Sequence, residues 1–330
     1  MWNFTYSSTD YRVRRINYLQ RRITQYKSKK LIIRHSLIDI YRNLHGNLLQ
    51  TLNPGAFQGL VNLRTLSMQE NRIHDLRNIS FRGLRSLAWL YLINNAITEV
   101  PKGVFKGLQR LRTIYMYSNA IERINEDSFQ GISYLQHLTL STNLLKALNA
   151  SILSNLGYLN MLSFSLNNLA YLEDKLFVKQ SRLINLSLYG NKIEVIQPGT
   201  FASLTRISRI DLSWNKLVLI DSYVFSNLPS LSYLIFQDNN IRTISKTSLE
   251  GSSGISTLEL SGNKVQHVSS VVFSNLHGLT SLLLSHNNIR YLQVNTFKSL
   301  ASLITLDLTS NEIHYMEINA FTGLNKLEKL

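Results

Sequence analysis

The sequence predicts an α/β-type solenoid, a stack of short turns in which each turn adds one strand to a long parallel sheet. Three observations lead to this prediction. An asparagine recurs at a constant 24-residue spacing from Asn47 to Asn311, and the spacing holds for eleven steps without an insertion or deletion. Before each asparagine, leucine-like residues alternate with variable ones, as in a strand with one buried side. Ten residues after most of the asparagines stands a phenylalanine.

Each part of the repeat has a structural reason. Alternating leucines place their side chains on one side of a strand, and the residues between them point to the other side. The phenylalanines are expected to stack as an aromatic column under the opposite wall. Each repeat contacts chiefly its neighbours, so we expect a curved stack with the strands on the concave side. The asparagines are Asn47, Asn71, Asn95, Asn119, Asn143, Asn167, Asn191, Asn215, Asn239, Asn263, Asn287 and Asn311. The phenylalanines are Phe57, Phe81, Phe105, Phe129, Phe177, Phe201, Phe225, Phe273, Phe297 and Phe321, and Leu153 and Leu249 replace them in two repeats.

The repeat can be written L-x-x-L-x-L-x-x-N-x-L-x-x-L-x-x-x-x-F-x-x-L, and the segment LAWLYLINNAITEVPKGVFKGL follows it throughout. Over residues 44–330 the sequence resembles the leucine-rich repeat family. Its 24-residue period with a late phenylalanine is similar to the subclass common in Slit proteins, Toll-like receptors, leucine-rich-repeat G-protein-coupled receptors and leucine-rich repeat/immunoglobulin-like proteins. The resemblance implies a horseshoe with a concave parallel sheet and an irregular or 3-10 convex side. It also implies that the asparagine side chains bond the backbone of adjacent turns to form a ladder.

Two regions are predicted along the chain. Residues 37–330 form the leucine-rich repeat domain, with about twelve 24-residue repeats. The sequence stops at Leu330, halfway through the next strand, so we expect the repeat domain to be truncated there. Residues 1–36 form a basic segment for which three interpretations stay open: a membrane-surface or anion-binding arm, a degenerate cap, or a lead that is not native to the protein.

Composition argues against several classes of function. The net charge is +15, with ten Lys and Arg against two Asp and Glu in residues 1–46 and 25 against 18 in the remainder. Cysteine is absent, which excludes disulfide scaffolds, cysteine-based zinc sites and thiol catalysis. The eight histidines show no metal-ligand spacing, and no phosphate-binding loop or nucleophile motif occurs. We therefore expect no enzyme activity, no metal and no cofactor.

The positions six, four and two residues before each asparagine are predicted to face the concave, solvent-exposed side. In two neighbouring repeats these positions carry large apolar side chains. Aromatic side chains clustered on a rigid sheet are typical of protein-binding hot spots, and the alternative is that they shield the sheet as cross-strand pairs. This first group consists of Trp89, Tyr91, Ile93, Tyr115 and Tyr117.

A second group follows further along the same face, beyond a stretch of small polar residues. Arg209 and Asp211 stand two residues apart on one strand and could pair, which would orient the guanidinium for a partner carboxylate. The alternative is a solvated ion pair that contributes little. Arg209 is the only clear base on this face, so nucleic acid is not expected as a partner. The second group consists of Tyr189, Arg209, Asp211, Trp214 and Tyr233.

Two further sets of residues lie near the sheet. Basic residues shortly after the asparagines fall on one lateral flank, which would suit a sulfated glycan or an acidic protein if it is more than a solvated surface. A glycan on Asn185 would obstruct the concave face between the two groups. The lateral flank consists of Arg72, Lys192, Lys216, Arg242, Lys264 and Arg290, and the N-glycosylation candidates are Asn78, Asn149 and Asn185.

The sequence favours a protein- or peptide-binding ectodomain of a cell-surface receptor, an adhesion protein or a secreted signalling protein. We expect it at the cell surface or outside the cell, attached to a membrane only through segments missing from this chain. Two alternatives stay open. An intracellular leucine-rich repeat scaffold is favoured by the absence of cysteine and of a visible signal peptide. A glycan- or polyanion-binding matrix protein is favoured by the net charge.

Overall fold

The computed structural model describes residues 40–77 and 81–330. The described residues belong to one unit, Arg34–Leu330. The basic segment 1–36 and the glycosylation candidate Asn78 lie outside the described residues, so their interpretation stays a prediction.

The described chain forms a solenoid around one twelve-stranded parallel sheet, in which sequential turns are spatial neighbours. The register advances by one whole repeat at every step, so that Tyr91 lies between Ser67 and Tyr115. The strands are Tyr41–Asn43, Thr65–Ser67, Trp89–Tyr91, Thr113–Tyr115, His137–Thr139, Met161–Ser163, Asn185–Ser187, Arg209–Asp211, Tyr233–Ile235, Thr257–Glu259, Ser281–Leu283 and Thr305–Asp307.

The opposite side of the solenoid is built from turns, with very little helix. Backbone bonds of the i to i+3 type recur there, as where Leu60 N donates to Phe57 O at 3.2 Å and Leu63 N to Leu60 O at 3.1 Å. Three short parallel pairs and one helical turn interrupt these turns. The pairs are Glu99–Val100 with Arg123–Ile124, Leu219–Ile220 with Thr243–Ile244, and Tyr291–Leu292 with Tyr315–Met316, and the helix is Ala150–Leu153. The predicted parallel sheet and irregular opposite wall are confirmed.

The asparagine ladder joins each turn to the one before it. The side-chain oxygen of Asn167 accepts from Leu145 N at 3.0 Å in the preceding turn. Its amide nitrogen donates to Leu140 O of that turn and to Phe164 O of its own turn. The same pattern recurs from Asn71 to Asn311, as the two end members show. Each buried amide therefore satisfies backbone groups that the narrow turn leaves without partners.

The phenylalanine column stacks in three segments. In the first segment neighbouring ring centroids lie 5.8 to 6.0 Å apart, and the ring planes stay within 17° of parallel. The column breaks at Leu153 and again at Leu249, where an aliphatic side chain fills the position. Beyond each break the stack resumes, with centroids 5.2 to 5.8 Å apart in the middle segment and 5.9 to 6.4 Å apart in the last.

The residue before each ladder asparagine adopts the left-handed backbone conformation. From Glu70 to Ser310, φ at this position lies between 51° and 68° in every repeat. Most repeats place a short polar residue, a glycine or a histidine there, which suits the conformation. Leu166 and Trp214 are the two apolar residues at this position, and large apolar side chains rarely adopt the conformation.

No helix among the described residues has the length and hydrophobicity needed to cross a membrane.

The ladder makes a stability prediction. Replacing Asn167 with alanine leaves Leu145 N and Leu140 O without their partner inside a buried turn, so the free energy of unfolding should fall by about 3 kcal/mol. Asn168→Ala is the matched control, because the Asn168 side chain makes no hydrogen bond to another described residue, and its effect should stay below about 0.5 kcal/mol. Urea denaturation followed by circular dichroism measures both. Equal losses in the two variants would contradict the role of the ladder.

Candidate ligand-binding face

The face of the sheet opposite the leucine core is open to solvent, and we call it the open face. In most strands the central residue is buried and the two outer residues are partly exposed, as in His137–Thr139. The outer residues of successive strands form columns that run across all twelve turns. Among the residues selected from the sequence, these columns hold Trp89, Tyr91, Tyr115, Arg209, Asp211 and Tyr233.

The first group forms an aromatic strip on this face. Trp89 is 42% exposed, and Tyr117 is exposed at the far edge. Between them Tyr91 and Tyr115 are partly buried against each other, with ring centroids 5.4 Å apart and planes tilted by 42°. The structure thus places Trp89, Tyr91, Tyr115 and Tyr117 on the open face.

Ile93 differs from the expectation that it faces solvent, because it is only 7% exposed. The register places it between Gln69 and Tyr117 at the equivalent positions of the adjoining turns. At this position, two residues before the asparagine, the chain is already leaving the strand. Long neighbouring side chains can therefore cover a residue that strict alternation would expose. Ile93 therefore adds almost no exposed surface to the aromatic strip.

The second group is organised around Arg209. Its Nη2 atom lies 3.4 Å from Asp211 Oδ2, and its guanidinium carbon lies 5.7 Å from the Tyr233 ring centroid. Asp211 is fixed in turn, because its Oδ1 accepts from Ser213 N at 3.1 Å and Ser213 Oγ at 2.8 Å. The pair is partly buried, which reduces the solvent screening that weakens exposed ion pairs. Tyr189 is partly exposed on the same face.

Trp214 belongs to the second group but holds the left-handed conformation, with φ of 55° and 56% of its surface exposed. Two turns earlier Leu166 holds the same conformation and is also exposed. Gly190 lies between them, and Leu166 leans over it, since an added Cβ on Gly190 would meet Leu166 Cδ2 at 2.6 Å. Large exposed side chains in an unfavourable backbone conformation are common at binding sites.

A chain of serine hydroxyls separates the two groups. Ser163 Oγ lies 2.7 Å from Ser141 Oγ and 3.0 Å from Ser165 Oγ, and Ser165 Oγ lies 2.6 Å from Ser187 Oγ. These hydroxyls bond to one another and leave a small-residue trough between the aromatic groups. Burial lowers the pKa of His137 at the edge of this trough, which favours its neutral form.

Carboxylates occupy the open face beyond the second group. Burial raises the pKa of Glu259, although hydrogen bonds from Ser261 oppose the shift. At Asp307 the balance is reversed, because the hydrogen bond from the Thr309 side chain lowers the pKa of the carboxyl. This end of the face is acidic, so the negative charge is kept apart from the aromatic strip.

The lateral flank predicted to be basic is interleaved with acids. All six of its cations are exposed. Arg290 Nε lies 2.8 Å from Glu312 Oε2, and Lys216 Nζ lies 4.0 Å from Glu194 Oε1. Its charge is therefore partly neutralised, and it forms no continuous basic surface.

Two glycosylation candidates lie within the described residues. Asn185 is partly exposed on the strand Asn185–Ser187, in register between Met161 and Arg209 on the open face. Asn149 is exposed and caps the helical turn Ala150–Leu153, with its Oδ1 accepting from Ser151 N at 2.8 Å. Whether either residue carries a glycan stays a prediction.

The profile of the family described as Leucine rich repeat matches residues 43–97, 87–145, 181–241, 231–289 and 277–330. The chain belongs to the leucine-rich repeat family. The matched segments cover well over half of its residues. Curated protein sequences gave no match.

Solved structures show the same leucine-rich repeat fold at low sequence identity. The Drosophila Toll chain in the Toll–Spatzle complex matches with a TM-score of 0.64 and 21% identity over 86% of this chain. This chain spans only 42% of that Toll chain. An internalin from Listeria monocytogenes matches with a TM-score of 0.61 and 22% identity, covering 89% of this chain and 86% of the internalin. A leucine-rich repeat protein from Leptospira interrogans matches with a TM-score of 0.67 and 20% identity, and the match covers 89% of this chain and 83% of the Leptospira chain.

Sequence reasoning missed one cluster of the leucine-rich repeats, on the flank that leads into the strands. There Tyr134 and Tyr158 contact each other, and arginines cover them on either side. Both tyrosines stand nine residues before a ladder asparagine. The sequence carries a signal for this cluster, because Arg110, Arg182 and Arg206 stand at the same position in neighbouring repeats.

The opposite pKa shifts of Glu259 and Asp307 predict opposite effects of neutralising them. The folded-state pKa of Glu259 is raised, so its contribution to stability is greatest below the unfolded value of about 4.3 and is lost as pH rises through the folded pKa. Glu259→Gln keeps an acceptor for Ser261 N, which donates to Glu259 Oε1 at 2.8 Å. The variant should therefore melt higher than wild type at pH 7 and equally near pH 4.

Asp307→Asn is the control with the opposite sign. The folded-state pKa of Asp307 is lowered, so its carboxylate contributes stability above the unfolded value of about 3.9. This contribution is lost as pH falls through the folded pKa. This variant should melt lower than wild type at pH 7, with the difference shrinking in acid. Thermal melts at both pH values test the pair, and shifts of the same sign in the two variants would contradict the assignment.

Proposed function

We propose that this chain is the ligand-binding region of a non-enzymatic cell-surface receptor, adhesion protein or secreted signalling protein, and that its open face binds a protein or peptide ligand. The observation that carries the proposal is the aromatic strip, in which exposed Trp89 and Tyr117 flank the contacting pair Tyr91 and Tyr115. Large aromatic side chains on a rigid surface dominate the energetics of protein interfaces. Trp89, Tyr91 and Tyr115 stand on strands of the sheet, so their backbone loses little conformational entropy on binding.

The second group supports the same proposal through polar recognition. Asp211 and the Tyr233 ring hold the Arg209 guanidinium in place, so a ligand carboxylate would meet an ordered donor. The serine trough between the groups offers little apolar contact area. A ligand that spans both groups would gain most of its affinity at the two ends, and a glycan on Asn185 would restrict it to one of them.

The solved relative supports the class of ligand. The Toll chain was solved in complex with Spatzle, so a protein of this fold binds a protein ligand. For this chain a protein ligand at the cell surface is our proposal, and an intracellular scaffold is the competing one.

Affinity capture tests the proposal. The chain should capture a partner from a pool of secreted and cell-surface proteins, and Trp89→Ala with Tyr115→Ala should lose it, while the circular dichroism melt stays within a few degrees of wild type. Ser281→Ala with Thr305→Ala is the control, because both residues are partly exposed on the open face, in the column that also holds Trp89. A cytosolic protein pool is tested in parallel, and capture from that pool alone would favour the intracellular scaffold. Identical partners for both double variants would exclude the aromatic strip as the binding site.

Trp214 offers a test that separates binding from stability. Trp214→Gly removes a side chain from the left-handed conformation, so the free energy of unfolding should stay level or rise by up to about 1 kcal/mol. Binding of a ligand that reaches the second group should weaken by about tenfold or more. Ser310→Gly is the control, since it relieves the same conformation far from both groups. A Trp214→Gly variant that keeps full affinity would remove Trp214 from the site.

A further inference from the structure

The flank that leads into the strands carries the positive charge of the repeat region. We call it the leading flank and define it by six segments, 82–88, 106–112, 130–136, 154–160, 178–184 and 202–208. These segments contain eight Lys and Arg and no Asp or Glu. Residues 47–330 hold 25 cations and 18 acids in all, so the rest of the repeat region has 17 cations against 18 acids. The net positive charge of the repeats therefore lies on this one surface.

At the centre of the leading flank, four side chains from four successive turns stack in a row. The guanidinium carbon of Arg112 lies 5.2 Å from the Tyr134 ring centroid, and that of Arg182 lies 4.0 Å from the Tyr158 ring centroid. The two rings contact each other with centroids 4.9 Å apart and planes tilted by 55°. Both rings stay accessible, with Tyr134 48% and Tyr158 37% exposed. The stack orders two arginines that would otherwise be mobile on the surface.

Arg110, Arg182 and Arg206 occupy the same position as Tyr134 and Tyr158, nine residues before a ladder asparagine, and extend the row to five turns. These three arginines and Arg112 are available to a ligand. Within the described part of the chain, Arg110, Arg112, Arg182 and Arg206 form no ion pair with a carboxylate. Arg112 Nη1 makes two long backbone contacts of 3.4 Å, to Leu111 O and Tyr134 O. A guanidinium stacked on a ring by its face keeps N–H groups at its edge that can donate to an oxyanion.

We propose that the leading flank binds a linear sulfated glycan. Successive turns lie about 4.8 Å apart, so the row from Arg110 to Arg206 spans about 19 Å. Arginines stand at both ends of this row, and the two uncharged tyrosines occupy its middle. A chain that carries sulfates along its length with uncharged sugar rings between them matches this order, because its sulfates meet the guanidinium groups and its uncharged rings pass over the exposed edges of the two tyrosines. This proposal does not depend on the function proposed for the open face.

The same geometry disfavours the other polyanions. Single-stranded nucleic acid gains much of its affinity by stacking bases on free aromatic faces. Here guanidinium groups and the second ring already occupy faces of Tyr134 and Tyr158. An acidic peptide can pair with the arginines but does not need the ordered tyrosine pair. The lateral flank is a poorer glycan site, because Glu194 and Glu312 partly neutralise it.

Binding of a fluorescent heparin-derived oligosaccharide to the full chain tests the proposal at physiological ionic strength. Arg110→Ser with Arg182→Ser should weaken binding by about tenfold or more. Lys192→Ser with Lys264→Ser removes the same charge from the lateral flank and should change affinity by less than about twofold. Equal losses in the two double variants would mean that only total charge matters, and would overturn the proposal.

The tyrosine pair allows a test at constant charge. Tyr158→Leu removes the ring that orders Arg182 and should weaken binding by about threefold or more, whereas Tyr158→Phe keeps the ring and should restore nearly full affinity. Thermal melts check that all variants fold. If both Tyr158 variants bind as wild type does, the ordered stack has no part in recognition.

Two further comparisons assign the ligand class and the location. Unlabelled heparin oligosaccharide should displace the probe far better than polyglutamate or single-stranded RNA of equal charge, and equal displacement by either competitor would overturn the glycan assignment. Serine replacements of Arg14, Arg15, Arg21 and Arg22 test the basic segment. Abolished binding in that variant, with the Arg110 and Arg182 variant unaffected, would place the glycan on residues 1–36 instead.

Discussion

The asparagine ladder is the interaction on which the rest of this structure depends. A single repeat turn is too narrow to satisfy its own backbone, and each ladder amide joins donors and acceptors of two adjacent turns. This bond fixes the spacing and the register between turns together. Because the register never shifts, equivalent residues of every repeat lie side by side, and any chemistry that recurs with the period of the repeat becomes a continuous surface.

The ladder also explains why the two proposed surfaces differ in character. On the open face, side chains stand on strands held at both edges by neighbouring strands, so aromatic residues there are rigid and suited to a shaped protein ligand. On the leading flank, the side chains stand where the chain enters the strand, and they are ordered by contact with one another instead. The Arg112, Tyr134, Tyr158 and Arg182 row draws one side chain from each of four turns. Such a row suits a linear ligand that lies across the turns.

Departures from the repeat mark the places where function is most readily added. Leu166 and Trp214 occupy a backbone conformation that polar residues and glycine fill in the other described repeats, and Trp214 belongs to the same turn as the ordered Arg209. The strain at one residue is small compared with the stability that a long stack of satisfied turns provides. The array can therefore hold a large exposed ring where its backbone disfavours one.

The sequence by itself determined the period, and the period determined the fold, the register and the outward columns, because a repeat without insertions leaves one way to stack. It therefore placed Trp89, Tyr91, Tyr115, Arg209 and Asp211 on the open face. Only the tertiary structure decided how side chains from different turns meet. It buried Ile93, paired Arg290 with Glu312, and joined two arginines to two tyrosines on the leading flank. Those contacts depend on side-chain length and rotamer across adjacent turns, which a pattern of positions does not contain.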